Sequence, residues 1–150
     1  MKKVIIGVMI FCLSYSAFAR SELASNFIEK VKIAANGDGV ISEAIDIKCP
    51  TKSASGRLLI TRASYDYGSS KGAFIFSNTD DAPAILMSIT TQFHNDDFSS
   101  DKVDGYEFGF KMHGGQLFVT VMKDGKASAG VNVNGTSGVA KVKCKVIKPE

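Results

Sequence analysis

The chain has 150 residues, 18 basic and 15 acidic, and 45% of them are hydrophobic. That length fits one domain, large enough to bury a core of its own. Without Lys2 and Lys3 the acidic and basic residues nearly balance, so bulk charge gives no reason to expect a nucleic-acid partner.

Residues 1–19 read as an export signal. Lys2 and Lys3 precede an apolar run from Val4 to Leu13, and Ala17-Phe18-Ala19 has the small-x-small pattern cut by signal peptidase before Arg20. The run falls short of the roughly 20 apolar residues that span a bilayer. Cys12 invites a lipoprotein reading, which the bulky Ile10 and Phe11 in front of it oppose. The expected destination is periplasmic or secreted, with residues 20–150 as a single β-rich domain and no membrane anchor. Cys49 and Cys144 then remain, an even number in an oxidising compartment. With no His or third Cys close by in the sequence, a structural disulfide is expected rather than a metal site or a reactive thiol.

After the signal, Ala24, Phe27, Ile28, Val31, Ala34 and Ala35 recur at three- and four-residue spacings. That is one helical face, with Ser21 as N-cap and Asn36-Gly37 as the stop. From there the period changes to two. Ile41, Ile45, Ile47 and Cys49 form one face of a strand. Ile85, Met87, Ile89, Thr91 and Phe93 form another, and Tyr106, Phe108, Phe110 and Met112 a third. Gly114-Gly115, Asp124-Gly125 and Asn134-Gly135 are turn pairs that close hairpins. With "RLLITRASY", "GAFIFS", "LFVTVM", "ASAGVNV" and "VAKVKCKVI", about eight strands follow one another in sequence. The expected fold is mainly β: a single antiparallel β-barrel or β-sandwich with one N-terminal helix. The cysteines fall on the first and last strands. A simple up-and-down closure puts Cys49 at a strand end but Cys144 well inside its partner, so barrel and sandwich stay open at this point.

Several stretches carry candidate chemistry. "AANGDGVISEAI", residues 34–45, resembles part of a calcium loop, with Asn36 and Asp38 at ligand positions 3 and 5 before Gly39 at 6. Ala34 and Ile45 stand where ligands 1 and 12 should be, which makes the stretch a turn. "FHNDDFSSDKVDGYE" gathers Asp96, Asp97, Asp101 and Asp104 beside His94 in the longest connection. Its readings are a solvated loop, an acidic finger for a cationic partner, or an irregular calcium site. His94 and His113 close successive antiparallel strands at opposite ends, roughly 25 Å apart, and cannot share a zinc. No metal or other cofactor is expected.

Glu43 falls on the apolar face between Ile41 and Ile45. It calls for a partner such as Arg57, Arg62 or a ligand, or for a strand end open to water. Beside it, Ala127, Ala129, Val131 and Val133 are small residues that leave room unless phenylalanines fill it. Lys141, Lys143 and Lys145 share one face of the last strand. Such lysines blunt an exposed sheet edge or meet an anionic polymer. Asn134-Gly135-Thr136 matches a glycosylation sequon formally.

The residue patterns carry no family signature. The leading expectation is an exported periplasmic protein-binding module, an inhibitor or immunity protein acting on a cell-wall hydrolase. Asp96, Asp97, Asp101, Asp104 and His94 form its contact, because such enzymes often present a positive cleft. The first alternative is a small-ligand-binding β-barrel with Glu43 as the polar contact. The second is an enzyme whose site has no recognisable sequence signature; the leading reading is not enzymatic.

Overall fold

The computed structural model describes residues 2–35, 43–61, 73–77, 84–94, 102–112, 114–133 and 140–150. A helix, α1 (Lys2–Ala35), leads into β1 (Glu43–Lys48), a short 3-10 turn (Lys52–Ala54) and β2 (Gly56–Thr61). The remaining strands are β3 (Ala73–Ser77), β4 (Ala84–Phe93), β5 (Val103–Met112), β6 (Gly115–Met122), β7 (Lys126–Val133) and β8 (Ala140–Ile147). Each strand pairs antiparallel with its sequence neighbour, and β1 pairs with β8, so the ring closes. Among the described residues, β3 and β4 share two residue pairs.

The seam explains the awkward cysteine spacing. Asp46 faces Ile147, Ile47 faces Val146 and Lys48 faces Lys145. One rung further, Cys49 is bonded to Cys144, with their Cα atoms 4.3 Å apart. Lys145 in turn faces Lys126, so the end of β1 lies level with the start of β7. That stagger accompanies the strand tilt that a closed barrel requires. It brings the middle of β8 to the end of β1. The first half of β8 runs past β1, and the 3-10 turn, whose Ala54 is buried, packs against β7.

Alternation does what the sequence pattern expects over most of the ring. Ile45, Ile47, Leu58, Ile60, Phe108 and Phe110 are fully enclosed, as are Leu117, Val119, Val121 and Ala129. Phe76 and Phe108 each lie against Phe110, with ring centroids 5.7 and 6.4 Å apart. Among the described residues no polar or charged side chain is buried in this interior. Gly114 and Gly125 adopt φ near +82° and +83° in the two hairpins expected there, a conformation that glycine takes without a Cβ clash.

Four expectations are corrected. First, β4 does not keep one face from Ile85 to Phe93. Register shifts between Leu86 and Ser88, so Leu86, Ile89 and Phe93 pack against the core; one extra residue in a strand swaps the faces on either side of it. Second, Asp104 is a strand residue rather than a loop residue. Val103 is buried opposite Phe93, and the shift between Gln92 and Phe93 makes Asp104 the extra residue of β5. Third, the apolar face of β7 leaves the core. Val131 and Val133 are 38% and 55% exposed, and the described part of β8 begins level with Val131. Fourth, β8 is not an edge strand throughout: β7 pairs with Lys141, Lys143 and Lys145, and β1 pairs with Lys145 to Ile147, which leaves the β1-facing side of residues 140–144 without a paired strand among the described residues.

Within α1, Ala24, Phe27, Ile28, Val31 and Ala34 are buried and join the barrel interior in one cluster. The helix is continuous through Ser21, so that residue is not an N-cap. Its hydroxyl instead donates to the Lys123 carbonyl at 3.3 Å, and the Lys123 ammonium lies 3.0 Å from Glu29. The β6–β7 turn therefore holds the helix against the barrel. No helix among the described residues is long and apolar enough to cross a membrane.

Candidate interaction surfaces

Among the described residues the interior carries apolar side chains, so their polar chemistry lies on the outside and the rims. At the rim shared by the ends of β4 and β6, the bulge aims the Asp104 carboxylate at His94. The His94 Nδ1 to Asp104 Oδ2 distance is 2.7 Å, and both side chains are exposed by more than a third. The Lys123 N–H donates to the Asp104 carbonyl at 2.7 Å, tying the bulge to the β6–β7 turn. Sequence reasoning placed His94 and Asp104 in one cluster, and they do meet. Asp96, Asp97 and Asp101 lie outside the described residues. So do Asn36, Asp38 and Gly39 of the calcium-like stretch, His113, and the sequon. The two ends of that stretch, Ala34 and Ile45, are both buried apolar side chains, which a metal loop would not place at ligand positions. Among the described residues no group of three or more His, Cys, Asp or Glu is gathered as a metal site.

The same turn holds an exposed pair, Asp124 and Lys126. Burial pushes the Asp124 carboxyl up, and hydrogen bonds from the Lys126 ammonium and N–H outweigh it, leaving the carboxyl below its usual range. The Lys126 ammonium is raised by the side-chain hydrogen bond to Asp124. Tyr106, just inside the rim, has its phenol raised above the ordinary range by burial and, secondarily, by the charge of Glu29.

Glu43 stands half-buried at the start of β1, opposite Ile60. Arg57, one of its expected partners, is taken: its Nε and Nη2 donate to the Asp46 carboxylate at 2.7 and 3.0 Å. That fork raises the guanidinium's pKa, chiefly through the Asp46 hydrogen bond. Arg62 lies outside the described residues.

On the outer wall, one rung crosses four strands: Glu107, Thr120, Ser128 and Lys143 lie side by side on β5 to β8. The Lys141 ammonium reaches diagonally over β7 to the Glu107 carboxylate, which also accepts from Thr120 at 3.2 Å. Gly130, directly opposite Lys141, leaves that path clear. Beside this network lies a depression of about 400 Å³ lined by Thr120, Met122, Lys126, Ala127, Ser128 and Lys143, with Cys144 at its margin. The sequence signalled the lysines but not the depression, which forms only where three strands come together. No protein-family model, curated protein or solved structure matches the chain.

Proposed function

We propose that the chain is an exported protein-binding module that blocks a cationic enzyme, a cell-wall hydrolase by class. Its contact is the acidic segment from His94 to Asp104. The observation that carries this reading is the apolar interior lined by the described residues. Phe27, Phe76, Phe108 and Phe110 are packed there with no buried polar or charged side chain among the described residues to hold a ligand, which favours recognition at the surface. A ligand held inside beside Glu43 draws correspondingly less support. The export part is supported by the side chains around the expected cut. Ala17, Phe18 and Ala19 are exposed, Phe18 by 70%, whereas Arg20 and Ser21 lie against the β6–β7 turn. The disulfide fits an oxidising compartment.

The test is inhibition of a cationic muramidase acting on purified cell wall. The parent protein should slow hydrolysis, and Asp96→Lys, Asp97→Lys and Asp101→Lys together should abolish the effect without moving the melting temperature. Raising salt should weaken the parent in the same way, since exposed charges act mainly on association and are screened. Asp104 is left out of the set because its carboxylate already serves His94. A triple variant that inhibits as well as the parent would remove the acidic segment from the interface. A parent that does not inhibit would remove the enzyme class.

A further inference from the structure

The lysines of β8 were expected to guard an edge, yet Lys141, Lys143 and Lys145 are all paired with β7 on one side and Lys145 with β1 on the other. Their role must come from what surrounds them. Lys141 is engaged by Glu107, and Lys126 by Asp124. Lys143 and Lys145 make no ion pair among the described residues, and both are exposed. Next to Lys143 is the depression over β6, β7 and β8. Its outward-facing carbon comes from Met122 and the lysine stems, and its polar groups are the hydroxyls of Ser128 and Thr120. Thr120 is already bonded to Glu107, which leaves Ser128 as the available hydroxyl.

We propose that this depression binds a single anionic lipid, with its acidic head at Lys143 and Ser128 and the first part of its acyl chain along Met122 and the Lys126 stem. The charge is complementary, because both carboxylates nearby, Asp124 and Glu107, are already neutralised by other lysines, leaving a net positive margin. The size is right for part of one chain: about 400 Å³ falls in the range of small-ligand sites. Its concave shape suits one molecule better than a flat bilayer. An ammonium beside an apolar wall distinguishes an anionic amphiphile from both a free anion and a neutral chain, since each of those satisfies only half of the site. The site lies on the outer wall and involves none of the residues of the acidic segment, so it stands or falls independently of the inhibitor reading.

The experiment is a titration of protein made from the full chain with dodecyl phosphate below its micelle concentration, followed by amide and methyl NMR shifts. Saturable shifts are expected at Ser128, Lys143 and the Met122 methyl. Lys143→Glu should weaken binding by about tenfold or more, and Lys111→Glu on another part of the wall should not. Inorganic phosphate and dodecyl maltoside should each bind far more weakly than dodecyl phosphate. If inorganic phosphate saturates the same residues equally well, the site is a bare anion site and the lipid proposal fails. It fails equally if the maltoside binds as tightly, if Lys143→Glu binds like the parent, or if no saturable shift appears.

Discussion

At the scale of single residues, two positions have consequences that can be measured. Gly105 pairs with Met122 across the β5–β6 ladder, and a Cβ there would lie 2.3 Å from the Val121 carbonyl oxygen. That atom is backbone in a hydrogen-bonded ladder and cannot step aside alone. Gly105→Ala should therefore cost about 3 kcal/mol or more, at the upper end of overpacking effects, seen as a lower urea midpoint. An unchanged midpoint would mean that the bulge at Asp104 absorbs the methyl. Tyr106 gives a pH test. Its pKa is raised in the folded state by burial, so the folded protein holds the phenol proton after the unfolded chain has released it. Stability from this group is complete below about pH 10 and is lost as pH rises through the folded value. The Lys126 ammonium, also raised, moves stability the same way, so the comparison must be made between variants. Tyr106→Phe should lose less stability than the parent between pH 8 and pH 11, measured by urea unfolding. Equal losses would show that the phenol does not govern the alkaline limb.

At the scale of elements, α1 is held by a face rather than by its intrinsic tendency. Phe27 is 1% exposed and sits in the same cluster as the barrel phenylalanines, whereas the Glu29–Lys123 pair is half in solvent. Burial dominates this docking, because an exposed pair is worth a fraction of what a large buried ring contributes. Phe27→Ala should destabilise the protein by about 3 to 5 kcal/mol, while Glu29→Gln should change stability by well under 1 kcal/mol. A small effect at Phe27 would show that the barrel keeps its stability without the helix. The period of three and four in residues 24–34 was enough to name every buried position on that face. The interruption of β4 was not legible. Register shifts arise from where Phe110 and Phe108 stand on the neighbouring strand, and no local pattern records that.

At the scale of the whole molecule, closure rests on the β1–β8 seam, which has three residue pairs and a covalent bond at its end. The bridge spans 95 positions of sequence, a long loop whose freedom in the unfolded chain the bond removes. Cys144→Ser together with Cys49→Ser should lower stability by about 2 to 5 kcal/mol, read from the melting temperature. The loss should be matched by reducing the parent with dithiothreitol. If the reduced parent melts where the oxidised one does, the hydrogen-bonded seam alone closes the ring.

By itself the sequence determined the mainly β class, the order of the strands, the helical face, two hairpin turns and the pairing of Cys49 with Cys144. Each of these depends on local periodicity, turn chemistry or counting, which a single chain displays directly. Tertiary structure alone decided that the sheet closes, that Asp104 belongs to a bulge facing His94, and that a depression lies beside Lys143 of β8. Those outcomes depend on the stagger between strands far apart in sequence. Stagger is set by how all the interior side chains fill one closed volume together, and no single segment carries that information.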